Sequence, residues 1–336
     1  MTDGAERQAT LHTVAGKPVL RFERRLAHPP TKVWRAVTDP AEMAHWFPAT
    51  VETKLEPGAA MRFTFEGEDA AIDGEIIEFD PPKVYAFRWN QDVIRIEIVP
   101  EGEGCRLFFS HTLGGDWTGR LGAGRNAAGW DVCLGALEAR LAGREHEPPE
   151  MTGLMEHYVA EFGLAEGEVH DTGDGYELRF ARDLLWRPVE QLWTLLTEGS
   201  EPETGAEPPL RFTNGYVPAG PVTAADAPRL LEYEWRHGGA PAGRVRWEII
   251  HDPEFGTRVE LTQTVPTRLA DLLPTALAAW QTHLEVLFAT VLGADRCWPE
   301  GRVEELREHY AGRLDPLSQG SARPGTGTPS GSDRSG

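Results

Sequence analysis

Apolar residues along the chain follow two periods, and the order of those periods occurs twice. Residues 19–26 alternate as a strand does. Pro29 and Pro30 stop that strand and open a helix over 31–38, with Val33, Trp34 and Val37 as its apolar side. Asp39-Pro40 breaks it, and a second short helix is predicted over 41–47, carrying Met43, Trp46 and Phe47. Six strands follow, over 51–55, 60–66, 72–78, 84–89, 93–99 and 105–112, separated by glycines and by Asp80-Pro81-Pro82. The last three place Tyr85, Phe87 and Trp89, then Ile94, Ile96 and Ile98, then Leu107, Phe109 and His111 on single faces. Over 127–143 the period returns to 3.6. Trp130, Leu134, Leu137 and Leu141 form one stripe, and Gly143 supplies a left-handed cap.

The same order returns 150 residues later, where Trp280, Leu284, Leu287 and Val291 repeat the stripe. Leu178-Arg179-Phe180 answers Leu20-Arg21-Phe22, and Trp193 takes the place of Trp34. Val245, Trp247 and Ile249 answer the three isoleucines; Val259, Leu261 and Gln263 answer Leu107, Phe109 and His111. Glu156-His157-Tyr158 and Glu308-His309-Tyr310 extend the match onto a further short helix in each half. A period this long is a domain duplication. The second copy lacks a counterpart of Met43 to Phe47. Its proline-bearing stretch 198–209 cannot supply a regular inner strand, so at least one strand is expected to be missing. The expected division is a first domain over 18–163, a linker over 164–175, a degenerate second domain over 176–315 and a disordered tail over 316–336, with residues 1–17 loose.

Composition narrows the partners. No window approaches 18 uninterrupted apolar residues, so no membrane span is expected. A net charge of −20 disfavours nucleic acid and anionic membranes. Cys105, Cys133 and Cys297 are few and unclustered, which points away from disulfides and metal and towards a reducing, cytoplasmic setting. No cofactor is expected.

Strand, two short helices, a strand meander and a long closing helix is the order of the helix-grip fold. The stretches Pro30-Thr-Lys-Val-Trp-Arg-Ala-Val-Thr-Asp-Pro40, His45-Trp46-Phe47, Gly74-Glu-Ile-Ile-Glu-Phe-Asp-Pro-Pro82, Phe87-Arg-Trp89, Leu107-Phe-Phe-Ser-His-Thr112 and Gly129-Trp130 resemble the activator-of-Hsp90-ATPase-homologue-1-like (AHSA1) family of the START/Bet v 1-like (SRPBCC) superfamily. The resemblance implies an α+β fold, a curved antiparallel sheet wrapped on a long C-terminal helix, in two tandem copies. It also implies an apolar cavity between sheet and helix, and functions that range from lipid or hormone binding through polyketide cyclisation to action on Hsp90. A small apolar or amphipathic ligand in the first domain is the leading expectation. A cyclase or hydrolase-like enzyme using His111 and a chaperone-linked interaction module are the rivals, and a protein partner stays open.

The candidate cavity residues are Trp46, Phe63, Phe65, Tyr85, Phe87, Trp89, Phe109, His111 and Trp130. The rings either line a ligand space or meet and fill the core. His111 is an acid or base in the cavity, a binder of a ligand's polar group, or a hydrogen-bonded core histidine. Asp131 and Glu138 read as the solvated face of the long helix, Cys133 as a small buried hydrophobe, and the two Glu-His-Tyr motifs as marks of docking helices. Gly114 to Gly124 reads as a mobile loop leading into the long helix. No catalytic residue is assigned.

Overall fold

The computed structural model describes residues 9–67, 70–294 and 296–320, with side chains described as far as 314. The first unit runs β1 (Thr10–Val14), β2 (Lys17–Leu26), α1 (Pro30–Thr38), α2 (Pro40–Met43), β3 (Thr50–Thr53), β4 (Ala60–Thr64), β5 (Ala71–Asp80), β6 (Val84–Trp89), β7 (Asp92–Glu101), β8 (Gly104–Thr112), α3 (Asp116–Leu121), α4 (Ala123–Ala142) and α5 (Met151–Glu161). Its strands form one antiparallel sheet in the order β1-β2-β8-β7-β6-β5-β4-β3. The long helix α4 buries Trp130, Leu134, Leu137 and Leu141 and ends at Gly143, whose φ of 67° needs no side chain.

The second unit runs β9 (Glu168–Asp171), β10 (Gly175–Asp183), α6 (Val189–Thr197), β11 (Ala219–Asp226), β12 (Leu230–His237), β13 (Ala240–Asp252), β14 (Gly256–Pro266), α7 (Leu273–Val291) and α8 (Arg302–Gly320). Its sheet order is β11-β12-β13-β14-β10-β9, which is the first sheet without β3 and β4. The registers agree: Leu20 and Ile94 flank His111, and Leu178 and Val245 flank Gln263. Trp130 and Trp280 sit at matching points of α4 and α7. The protein is thus α+β, two tandem helix-grip units.

Four segments expected to be irregular hold regular structure. Residues 10–14, placed in the loose N-terminus, form β1 and pair with β2 from Thr10↔Arg21 to Val14↔Lys17. The linker contains β9, paired with β10; its acidic composition hides Val169, packed against the core, and Gly167, whose missing side chain leaves room for the Phe180 ring. The glycine-rich stretch 114–124 contains α3, and bare Gly119 lets its turn close onto the Gly114 carbonyl. At the C-terminus α8 extends to Gly320, past the expected start of the tail, and residues 321–336 lie outside the described residues.

Asp131 and Glu138 do not form a solvated face. Both hold the buried Arg24 guanidinium, at 2.5 Å and 3.0 Å. A cation taken from water needs such partners. The Glu-His-Tyr helices dock through their tyrosines. Tyr158 donates to Asp131 Oδ2 at 3.0 Å and accepts from the Ala9 N–H at 3.4 Å. Tyr310 donates to Gln281 Oε1 at 2.6 Å and accepts from the Gly167 N–H at 2.8 Å. Each hydroxyl therefore ties the start of its unit to the long helix.

Tyr310→Phe leaves a buried N–H and a buried amide oxygen each short of a partner, and is expected to lower stability by about 1–3 kcal/mol in urea melts. Tyr158→Phe should cost less, because its bond from Ala9 is longer. His283 on α7 generates a pH prediction. Burial between the Trp247 and Trp280 rings pulls its pKa down to about 4 from 6.5. The folded state favours the neutral ring, so the unfolded chain takes up the proton first on acidification. Stability should be full above pH about 6.5 and fall by up to about 3 kcal/mol as pH drops to about 4. His283→Gln, which keeps a donor for the Arg211 carbonyl, should flatten that limb of the stability–pH curve.

Candidate ligand-binding cleft

Phe47, delivered by the turn after α2, stands at the centre of the first unit. Its ring lies 6.0 Å from Phe63, 6.0 Å from Phe87, 5.4 Å from Trp89 and 5.6 Å from Trp130. Phe109 packs on Trp130 at 4.6 Å, and Tyr85 on Phe87 at 5.1 Å. Rings at these spacings fill the interior between sheet and helix. Of the nine candidate residues, Trp46, Phe63, Tyr85, Phe87 and Phe109 are buried core. Trp46 also spends its indole N–H on the Ala36 carbonyl at 2.9 Å.

The remaining four, Phe65, Trp89, His111 and Trp130, come together on a cleft of about 390 Å³. It lies beyond the filled core, where the ends of β6, β7 and β8 meet α3 and α4. Cys133 also lines it. Burial pushes the Cys133 thiol up to about 12, so it presents a neutral sulfur rather than a nucleophile. The second unit adds Trp186, Glu254 and Phe255 to the lining. Arg125 of α4 joins the two units. It donates to Asp183 Oδ2 at 3.0 Å and to the Phe255 carbonyl at 3.3 Å, and its guanidinium lies 5.3 Å from the Trp186 ring centre. Gln91 donates to Glu254 across the same seam.

His111 is fixed from both sides. The Trp130 indole N–H can only donate, and it reaches His111 Nδ1 at 2.8 Å. That contact assigns the proton to Nε2, which donates to Asp92 Oδ2 at 2.7 Å. Asp92 Oδ1 accepts the Gly114 N–H at 2.7 Å. A general base needs a free lone pair aimed at substrate. The lone pair of His111 is occupied by Trp130, and the ring is 2% exposed. In the second unit the Trp280 N–H reaches Gln263 Oε1 at 2.7 Å, so an amide performs the same task.

Asp92, Arg125, Trp186 and Phe255 were not among the sequence candidates. Asp92 was within reach, because the alternation through Ile94, Ile96 and Ile98 runs back to it on the same inward face. Trp186 and Phe255 carry no such signal, since their place depends on how the units meet. Among the described residues no group of three or more His, Cys, Asp or Glu could hold a metal ion.

Residues 27–142 match the family model described as activator of Hsp90 ATPase homolog 1-like protein. No curated protein matches the chain. Among solved structures, a conserved protein of unknown function from Enterococcus faecalis is 19% identical with a TM-score of 0.41, over 46% of this chain and 90% of that one. CalU16 from Micromonospora echinospora is 21% identical with a TM-score of 0.38, over 47% and 95%. A protein from Mesorhizobium loti is 24% identical with a TM-score of 0.34, over 38% and 99%. The family match thus spans the first unit from α1 to the end of α4, and the second unit repeats that unit's architecture.

Proposed function

We propose that the protein binds a small amphipathic molecule, without chemical conversion, in the cleft lined by Trp89 and Trp130 of the first unit and Trp186 and Phe255 of the second. The observation that carries this reading is the cleft itself. Its volume of about 390 Å³ falls within the usual range for small-molecule sites. Both units contribute apolar rings to its lining, and Asn90, Asp92, Asn126 and Glu254 supply polar groups along it. A ligand with a flat apolar body and one polar end matches that distribution. The engaged lone pair of His111 and the neutral thiol of Cys133 favour binding over catalysis. The chaperone link rests on the family description alone, and fold does not fix function.

This reading moves the site from the interior of the first unit to the seam, and gives the second unit a share in it. Titration of the full chain with Nile red, a neutral apolar dye, tests it. Saturable fluorescence enhancement is expected. Trp186→Ala and Phe255→Ala should each weaken binding by about tenfold, equivalent to roughly 1.4 kcal/mol of apolar contact. Unchanged affinity in both variants would remove the second unit from the site, and no saturable signal would sink the cleft reading. His111→Gln copies the second unit and should keep dye affinity within about twofold. Trp130→Ala is expected to cost about 3–5 kcal/mol of stability, measured by denaturant melts, because it empties a large ring from the packed cluster.

A further inference from the structure

The duplication kept an arginine and changed what surrounds it. Arg24 on β2 lies opposite Leu107 of β8, and Arg182 on β10 lies opposite Val259 of β14, so the two occupy one position of the repeat. Arg24 is held by Asp131 and Glu138 of α4. The residues at those places on α7 are Gln281 and Phe288. Gln281 turns to Tyr310 and Glu285. Phe288 places its ring 4.6 Å from the Arg182 guanidinium. Arg182 is 4% exposed, and its Nε and Nη1 are buried without a hydrogen-bond partner. Burial pulls its pKa down to about 10, which still leaves it charged at neutral pH. A buried cation without its own carboxylate is costly unless something else completes it.

Arg182 borders a cavity of about 300 Å³ between α5, the start of α8 and the segment that follows α7. Arg296 and Arg302 line it as well, with Glu156 and Glu285. Arg296 bonds to Glu156 Oε2 at 2.6 Å, and Arg302 bonds to Glu285 at 2.8 Å and 3.1 Å. Both lining carboxylates are therefore already paired, and Arg302 also bonds Glu305, outside the lining, at 2.9 Å. Of the three lining guanidiniums Arg182 is the one with no ion pair to either lining carboxylate. Glu156 Oε1 is itself buried with no partner. The unfilled groups are thus two donor nitrogens on Arg182 and one acceptor oxygen on Glu156.

We propose that this cavity binds a small organic anion whose carboxylate or phosphate sits beside a hydroxyl or ammonium donor. The anionic group completes Arg182, with Arg296 and Arg302 adding charge at the rim, and guanidinium groups suit both kinds of oxyanion. The neighbouring donor answers Glu156 Oε1. This site is separate from the cleft proposed for the amphipathic ligand, and it stands or falls on different residues.

Calorimetric titration of the full chain with L-malate, succinate and inorganic phosphate tests the proposal. Saturable binding of malate or phosphate is expected, and the stronger of the two identifies the oxyanion. Succinate, which lacks the hydroxyl, should bind more weakly than malate. Arg182→Met, close in length and uncharged, should lose the binding by at least about tenfold, with Nile red binding unchanged. Gln281→Asp restores the carboxylate of the first unit beside Arg182 and should weaken the anion by a similar factor. It decides the matter if Arg182→Met does not fold. Absence of saturable binding for both malate and phosphate, or undiminished binding in the variants, would overturn the proposal and leave water as the partner of Arg182 and Glu156.

Discussion

A buried indole N–H has one hydrogen-bonding option, to donate, and leaving it unpaired inside a protein is costly. Both units are arranged around that requirement. Trp130 and Trp280 anchor the long helices, and each must find an acceptor on the inner face of the strand that precedes its helix. His111 and Gln263 supply it at 2.8 Å and 2.7 Å. The bond fixes the rotation and height of each helix against its sheet, because an indole cannot slide along the strand and keep its acceptor. In the first unit the constraint continues outward through His111 Nε2 to Asp92, and from Asp92 to the backbone of Gly114. The chain that positions the helix therefore also positions the loop bordering the cleft. In the second unit it stops, and Gln263 Nε2 is buried without a partner.

The comparison of copies separates what the fold needs from what it tolerates. A tryptophan on the long helix, a tyrosine on the accessory helix and an arginine on the second strand occur in both. The tyrosine needs an oxygen acceptor on the long helix, which Asp131 and Gln281 both provide. The arginine is different, because an amide and a phenyl ring do not replace two carboxylates. Loss of β3 and β4 is tolerated because Phe212 closes the core from another direction. Its ring meets Trp193 and Trp247, and its carbonyl accepts from Tyr233 and Trp247.

The fold was legible in the sequence because periodicity and turn residues encode it locally. The stripe Trp130-Leu134-Leu137-Leu141, the inward faces of β6 to β8 and the repeat offset each lie within one element or one spacing. The site was legible only in part, for a physical reason. Aromatic residues at inward strand positions read alike whether they line a space or touch each other, and it is the reach of Phe47 from the turn after α2 that fills the interior. Asp131 and Glu138 looked solvated for a similar reason. Helical spacing shows which residues share a face, while the arginine they hold lies more than 100 residues away on β2.

Each unit alone supplies part of a lining. The cleft needs the second unit's Trp186 and Phe255 as well as Trp89 and Trp130, and the arginine cavity needs the first unit's Glu156 as well as Arg182. The end of β10 stands between them. Side chains alternate along a strand, so its neighbours Arg182 and Asp183 face different ways. Asp183 joins the Arg125 contact at the cleft, and Arg182 borders the cavity beyond. A single helix-grip unit with a filled core has little interior space to offer a ligand. Two such units in contact create that space at their seam, and each copy is then free to keep a packed, stable core.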